Sequence, residues 1–233
     1  ISVRNRDDSC ATAFNSICEE PDGGNGACPT RTDRADCAGR WRPMTINDHF
    51  FRNDDRVHIL VDEAPWRYMG QLLIDGGGTC SATLIAPDVI ATAAHCISQD
   101  GGFDAHATFV SASGEHRARI TAYLVDPAYG LERFNRFEIN GLDWALLRLD
   151  QPLGETLGYA TPRRVGGRPL PIDLMQAGYA WDTGAVLTGH VSCRMLEVRL
   201  DNTFAHACDT TRGDSGSGFI VRNGETFDLV GID

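Results

Sequence analysis

Arg212-Gly213-Asp214-Ser215-Gly216-Ser217-Gly218 is the stretch from which the rest of the chain can be read. A serine follows an aspartate and stands among three glycines. Glycine reaches backbone conformations closed to other residues and lets a ligand come close to the main chain. A serine on such a turn presents its hydroxyl outward. The amides of Gly213 and Ser215 can then converge on one point and stabilise a developing oxyanion. A serine hydroxyl alone is a weak nucleophile, so the turn requires a base and an orienting acid from elsewhere.

Both stand upstream. The base candidate is His95, in Ala91-Thr92-Ala93-Ala94-His95-Cys96. The acid candidate is Asp143, in Gly141-Leu142-Asp143-Trp144-Ala145-Leu146-Leu147-Arg148-Leu149, with Asp126 and Asp150 as weaker alternatives. Taken singly, Ser215 reads as a surface-turn serine, His95 as a packed histidine and Asp143 as a turn aspartate before a strand. Taken together, in the order His, Asp, Ser, the three segments resemble the trypsin/chymotrypsin superfamily of serine proteases. Further stretches resemble its bacterial glutamyl endopeptidase branch. Asp54-Asp55-Arg56-Val57, Pro65-Trp66 and Cys80-Ser81-Ala82-Thr83-Leu84-Ile85 match the entry into the first barrel, and Gly178-Tyr179 and Asp209-Thr210-Thr211 match the second. The resemblance spans about residues 53 to 233.

Composition narrows the alternatives. The chain has 233 residues and a net charge of −11, which argues against nucleic acid or an anionic membrane as the main partner. No apolar run is long enough to span a bilayer as a helix. Eight cysteines, at 10, 18, 28, 37, 80, 96, 193 and 208, suit disulfides in an oxidising compartment, and no Cys-x-x-Cys pair suggests zinc. The chain starts at Ile1, which is read as the product of processing or trimming. A secreted or periplasmic protein is expected, bacterial by resemblance, needing no cofactor.

Residues 1–52 read as a loop-rich, disulfide-stapled extension. Their four cysteines are expected to pair among themselves in one of three ways. Glu19, Glu20, Asp22 and Asn25 match no full calcium loop, so no metal is expected. From Val57 the pattern changes to short β-favouring runs separated by turns, with scarce helix. The fold expected is all-β: two six-stranded antiparallel barrels of the chymotrypsin type, at about 53–150 and 163–233. Val57-His58-Ile59-Leu60-Val61 would open the first barrel. Leu170–Ile172, Gln176–Ala180, Ala185–Ser192 and Met195–Leu200 would be separate strands of the second. By the resemblance, Cys80 and Cys96 are bonded, which would tether His95. Cys193 and Cys208 are expected to pair, with a staple to the N-terminal extension as the alternative.

The resemblance also assigns roles. Ser215 is the nucleophile, His95 the general base and then acid, and Asp143 the residue that fixes the His95 tautomer. Gly213 and Ser215 supply the oxyanion amides. In trypsin-like relatives the aspartate matching Asp214 pairs with a freed amino terminus, which makes an Ile1–Asp214 salt bridge an expectation, although the familiar Ile-Val-Gly-Gly start is absent. Asp209 stands where such enzymes bind Arg or Lys. Thr210 matches a threonine that glutamyl endopeptidases use to bind glutamate. Those enzymes carry histidine where this chain has Asp233, in Gly231-Ile232-Asp233. A carboxylate there repels an acidic substrate side chain and attracts a basic one. The expected activity is therefore cleavage after a basic residue, through an acyl-enzyme, in protein or peptide substrates. Because relatives continue beyond the position of Asp233, the rest of the domain is expected on a second chain or beyond the sequence given, with substitution by the N-terminal extension or a degraded remnant as alternatives. The alternative is an inactive, protease-like binding module.

Overall fold

Short β-favouring runs punctuated by glycine turns become fifteen strands among the described residues. The computed structural model describes residues 10, 27–28, 49–51, 54–99, 102–129, 141–166, 169–184 and 186–233. Six strands close a barrel: β2 (Met69–Ile74), β3 (Thr79–Ala86), β4 (Val89–Thr92), β7 (Ala107–Ser111), β8 (Arg117–Val125) and β9 (Ala145–Leu149). Every neighbouring pair is antiparallel. Strand side chains alternate between faces, so Leu72, Leu84, Ile90, Phe109 and Leu147 fill the interior together. Each such side chain contributes about 1.5–3 kcal/mol by leaving water. The paired strands also satisfy their backbone donors and acceptors inside the closed barrel, which leaves no exposed edge.

The second half is a seven-stranded sheet. It contains β1 (Val57–His58), β12 (Thr188–Val198), β11 (Ile172–Gly178), β14 (Gly218–Asn223), β15 (Thr226–Ile232) and β10 (Thr161–Pro162) in that order, with β13 (Phe204–His206) also on β12. All its pairs are antiparallel except β10 with β15. Leu174, Met195 and Phe219 pack its core. Met69 and Ala91 of the barrel join Ala177, Tyr179, Ile220 and Leu229 of the sheet in a seam between the halves. A polypeptide of this kind is the two-part, chymotrypsin-like all-β architecture, with the first part closed and the second running as an open path.

Three strand readings are corrected. Leu170–Ile172 and Gln176–Ala180 are largely one strand, β11, broken only by a register shift between Leu174 and Gln176. Thr188–Ser192 of the third run and Met195–Val198 of the fourth merge in β12, because a bulged strand keeps its ladder while re-aiming its side chains. Val57–His58 does not open the barrel. It pairs with Gly189 and Thr188 at the edge of the other sheet. The residues before it are fastened to that same half, as the site shows.

Disulfides join Cys80 to Cys96 and Cys193 to Cys208, with S–S distances of 2.03 and 2.07 Å. Cys10 pairs with Cys28, one of the pairings open to the extension. Cys18 and Cys37 lie outside the described residues, as does the acidic turn from Glu19 to Asn25.

Candidate active site

Barrel register brings the first two residues together. Thr92, at the end of β4, faces Ala145, at the start of β9. The strands are antiparallel, so the residues following Thr92 run beside those preceding Ala145. His95 sits in a 3₁₀ turn, Ala94–Cys96, just past β4, and Asp143 sits just before β9. The Asp143 carboxylate takes two bonds from His95: backbone N–H to Oδ1 at 2.9 Å and Nδ1 to Oδ2 at 2.8 Å. With Nδ1–H donating to Asp143, Nε2 is the ring nitrogen left to accept a proton. Burial alone lowers the His95 pKa, but the Asp143 hydrogen bond and charge outweigh it and the net shift is upward. Burial likewise raises Asp143, and its bonds from His95 more than reverse this, leaving it below the usual carboxylate value. Tyr129, buried nearby, has its phenol pushed upward, first by burial and then by the Asp143 charge.

The Ser215 turn is docked onto the same corner. The Ser81 amide donates to the Ser215 carbonyl at 2.8 Å. The Cys96 Sγ, one residue from His95 and bonded to Cys80, lies 3.8 Å from that carbonyl. Gly216 has φ +81°, and a Cβ there would stand 2.1 Å from Thr92 Oγ1 and 2.4 Å from the Ser81 carbonyl. Only glycine allows both that backbone and that approach. Ser215 itself is half-buried. Gly213, at φ +99°, is equally constrained, since a Cβ would meet the Tyr179 carbonyl at 2.5 Å.

In the sequence Ser81 stands only as part of the Cys80–Ile85 motif, yet its hydroxyl joins two loops of the site. It accepts from the Tyr179 amide at 2.8 Å and donates to the Gly213 carbonyl at 3.1 Å. The signal in the sequence was the polar residue between Cys80 and Ala82 at a position that proves buried. Thr92, likewise polar and buried in a strand, gives the same signal. Its hydroxyl donates to the Ser81 carbonyl at 2.8 Å.

Asp214 is buried beneath the turn. Its Oδ2 accepts the Thr211 amide at 2.8 Å, and its Oδ1 has no hydrogen-bond partner among the described residues. Burial pushes this carboxyl up to about 8, with the Arg56 charge opposing and the Asp233 charge adding to the rise. Ile1, its expected partner, lies outside the described residues.

Asp209 is placed differently from the sequence reading. It is 0% exposed, and its oxygens are taken by the Phe51 amide at 2.9 Å and the Asp55 amide at 2.7 Å. His190 Nδ1 stands 3.3 Å from Oδ2. Burial raises the Asp209 pKa, but the His190 contact and the two amides lower it further, so it stays ionised. A carboxylate so enclosed cannot also receive a substrate guanidinium, and Asp209 is withdrawn from the substrate-binding set. Asp55, His190 and Asp209 lie close enough to suggest a cation, but the Phe51 and Asp55 amides already answer the buried charge.

Thr210 and Asp233 do sit together near the turn. Thr210 exchanges both backbone bonds with His49, at 2.9 and 3.2 Å. Its side chain bonds Asp233. Asp233 accepts the Gly216 amide at its carbonyl, 2.8 Å, and donates its own amide to the Ser217 carbonyl, 3.0 Å. Its Oδ1 is 3.8 Å from His206 Nε2. Burial pushes the Asp233 carboxyl up to about 6, with His49 and His95 opposing. Burial, then the His49 charge, push His206 down to about 4.

Comparison with known proteins gives the family and the fold. The family model described as Trypsin matches residues 61–233. A trypsin of Saccharopolyspora erythraea is 26% identical over 195 residues, covering 68% of this chain and 75% of that protein. A Glu endopeptidase solved in complex with MPD shares the fold with a TM-score of 0.65 at 24% identity, over 78% of this chain and 85% of that one. Protease Anisep from Arthrobacter nicotinovorans does so with a TM-score of 0.59 at 18% identity, over 73% and 84%. The family model spans well over half the length, and the chain belongs to the trypsin family of serine endopeptidases.

Proposed function

We propose that Ser215, His95 and Asp143 form the catalytic triad and that the protein hydrolyses peptide bonds through an acyl-enzyme. The observation that carries this reading is the pair of bonds from His95 to one Asp143 carboxylate, with the Ser215 turn docked beside Cys96. Ser215 Oγ attacks the scissile carbonyl and gives its proton to His95 Nε2. The carbonyl oxygen becomes an oxyanion received by the Gly213 and Ser215 amides. The C–N bond breaks as His95 returns the proton to the leaving amine. Water then repeats the sequence on the ester and frees Ser215.

Substrates are proteins or peptides with a basic residue before the scissile bond. Asp233 supports this. Above about pH 6 it is a carboxylate, and beside it His206 is neutral. Bonded cysteines and the family suit a secreted protein, and the Saccharopolyspora relative suits a bacterial source. A fluorophosphonate should label Ser215 in the wild type and not in His95→Ala. Absence of label from both would overturn the reading in favour of a binding module. Faster cleavage after Glu than after Arg in a peptide library would overturn the specificity alone.

A further inference from the structure

Arg56 is the largest fully buried side chain among the described residues, with 1% of its surface exposed. A buried guanidinium survives only when paired and hydrogen-bonded. Here one guanidinium makes four bonds to two carboxylates. Nε and Nη2 reach Asp54 Oδ1 and Oδ2 at 2.8 and 2.6 Å. Nη1 and Nη2 reach Asp182 Oδ1 and Oδ2 at 3.2 and 2.8 Å. The Phe50 ring stacks 4.8 Å from the guanidinium carbon. These bonds join residues distant in sequence, since Arg56 precedes the barrel and Asp182 belongs to the turn after β11.

That turn backs the proposed oxyanion loop. The Trp181 amide, next to Asp182, donates to the Arg212 carbonyl at 2.8 Å. A Cβ on Gly213 would lie 3.0 Å from the same amide nitrogen and 2.5 Å from the Tyr179 carbonyl. The backbone that carries the Gly213 and Ser215 amides therefore rests directly on residues 179–181. The Arg56 charge also acts on Asp214, pulling its carboxyl down against burial. Nearby, Asp209 fixes the same incoming segment by binding the Phe51 and Asp55 amides.

We propose that Arg56 is a positioning residue for the reaction. Through its double ion pair with Asp54 and Asp182 it holds the 179–182 turn against Arg212–Gly213, and so keeps the oxyanion amides aimed. Arg56 touches no substrate; it acts through Asp182 and the Trp181 amide. This inference rests on the catalytic reading of Ser215 and Gly213.

The test uses the full chain with Arg56→Met, Arg56→Lys and Asp182→Asn, each normalised by burst titration of competent sites so that loss of folded protein does not count. Small misplacements of catalytic groups cost up to about a hundredfold in rate. Arg56→Met and Asp182→Asn should each lower kcat about tenfold or more, with KM within about twofold of wild type. Arg56→Lys keeps the charge and loses the fork, so it should fall between. Inhibition by a peptide boronate, which mimics the tetrahedral species, should weaken in step with kcat. If Arg56→Met does not fold, Asp182→Asn decides alone, since Arg56 keeps its Asp54 pair there. Titrated variants with wild-type kcat and boronate affinity, whatever their melting temperature, would overturn the proposal and leave the catalytic reading intact. A wild type with no burst and no hydrolysis would overturn both.

Discussion

The Ser81 hydroxyl donates to the Gly213 carbonyl while accepting from the Tyr179 amide, so a barrel side chain clips together two loops of the other half. Replacing Ser81 by alanine leaves the buried Tyr179 amide without its acceptor. An unsatisfied buried donor costs about 1–3 kcal/mol. Ser81→Ala should lose stability of that order in urea titration. Its kcat should fall by about tenfold, a fraction of what misplacement of a catalytic group can cost.

Asp143→Asn should lower kcat about ten-thousandfold, by analogy with the same change in other triads. The pH profile gives a second check. His95 must be neutral to act as base, and its pKa is raised, so the acid limb of kcat/KM should lie above the ordinary imidazole value. Removing the Asp143 charge lowers that pKa, and residual activity in the variant should extend to lower pH.

Asp214 makes stability fall as pH rises. Its folded pKa is about 8, far above an ordinary carboxyl, so the native state binds the extra proton between roughly pH 4 and 8. Unfolding grows easier across that window. At about 1.4 kcal/mol per pH unit, the loss from pH 5 to 8 has a ceiling near 4 kcal/mol. Asp214→Asn cannot ionise and its side-chain oxygen can still accept the Thr211 amide. Its melting temperature should decline less than that of wild type between those pH values.

Asp209 and Asp233 should separate cleanly. Asp209→Ala strands the Phe51 and Asp55 amides and should cost about 1–3 kcal/mol for each, with the ratio of Arg to Glu cleavage unchanged. Asp233→Asn should reduce that ratio with little loss of stability. A peptide library run on both variants checks the contrast.

The Cys80–Cys96 bond closes a loop with a sequence separation of 16. Removing it with paired alanines should cost about 3 kcal/mol. Activity should drop as well, because Cys96 follows His95 directly. Chemical denaturation and kcat measured on the same preparation test both.

Much of the site is legible in the sequence because it is built from contiguous words. His95, Asp143 and Ser215 each sit in a local motif, and the strand periodicity around them reads as all-β. What could not be read is where short polar segments land. Val57–His58 announces an extended conformation, but nothing local says that its partner is β12 rather than the barrel. Asp209 occupies a position that suggests a substrate acid, and only the fold brings the Phe51 and Asp55 amides to it. Asp54-Asp55-Arg56 reads only as part of the match to the entry into the first barrel, yet its arginine is buried between two acids. Such outcomes follow from long-range satisfaction of buried charge, which leaves no periodic trace along the chain.

Phe51 and its anchor Asp209 are 158 residues apart in sequence. A ribosome releases the former long before the latter exists. This contact therefore cannot close until the segment carrying Asp209, in the half that holds Ser215, has been made. Closure of that contact is a late event in the life of the nascent chain, and the entropy of so long a loop sets it against rapid folding.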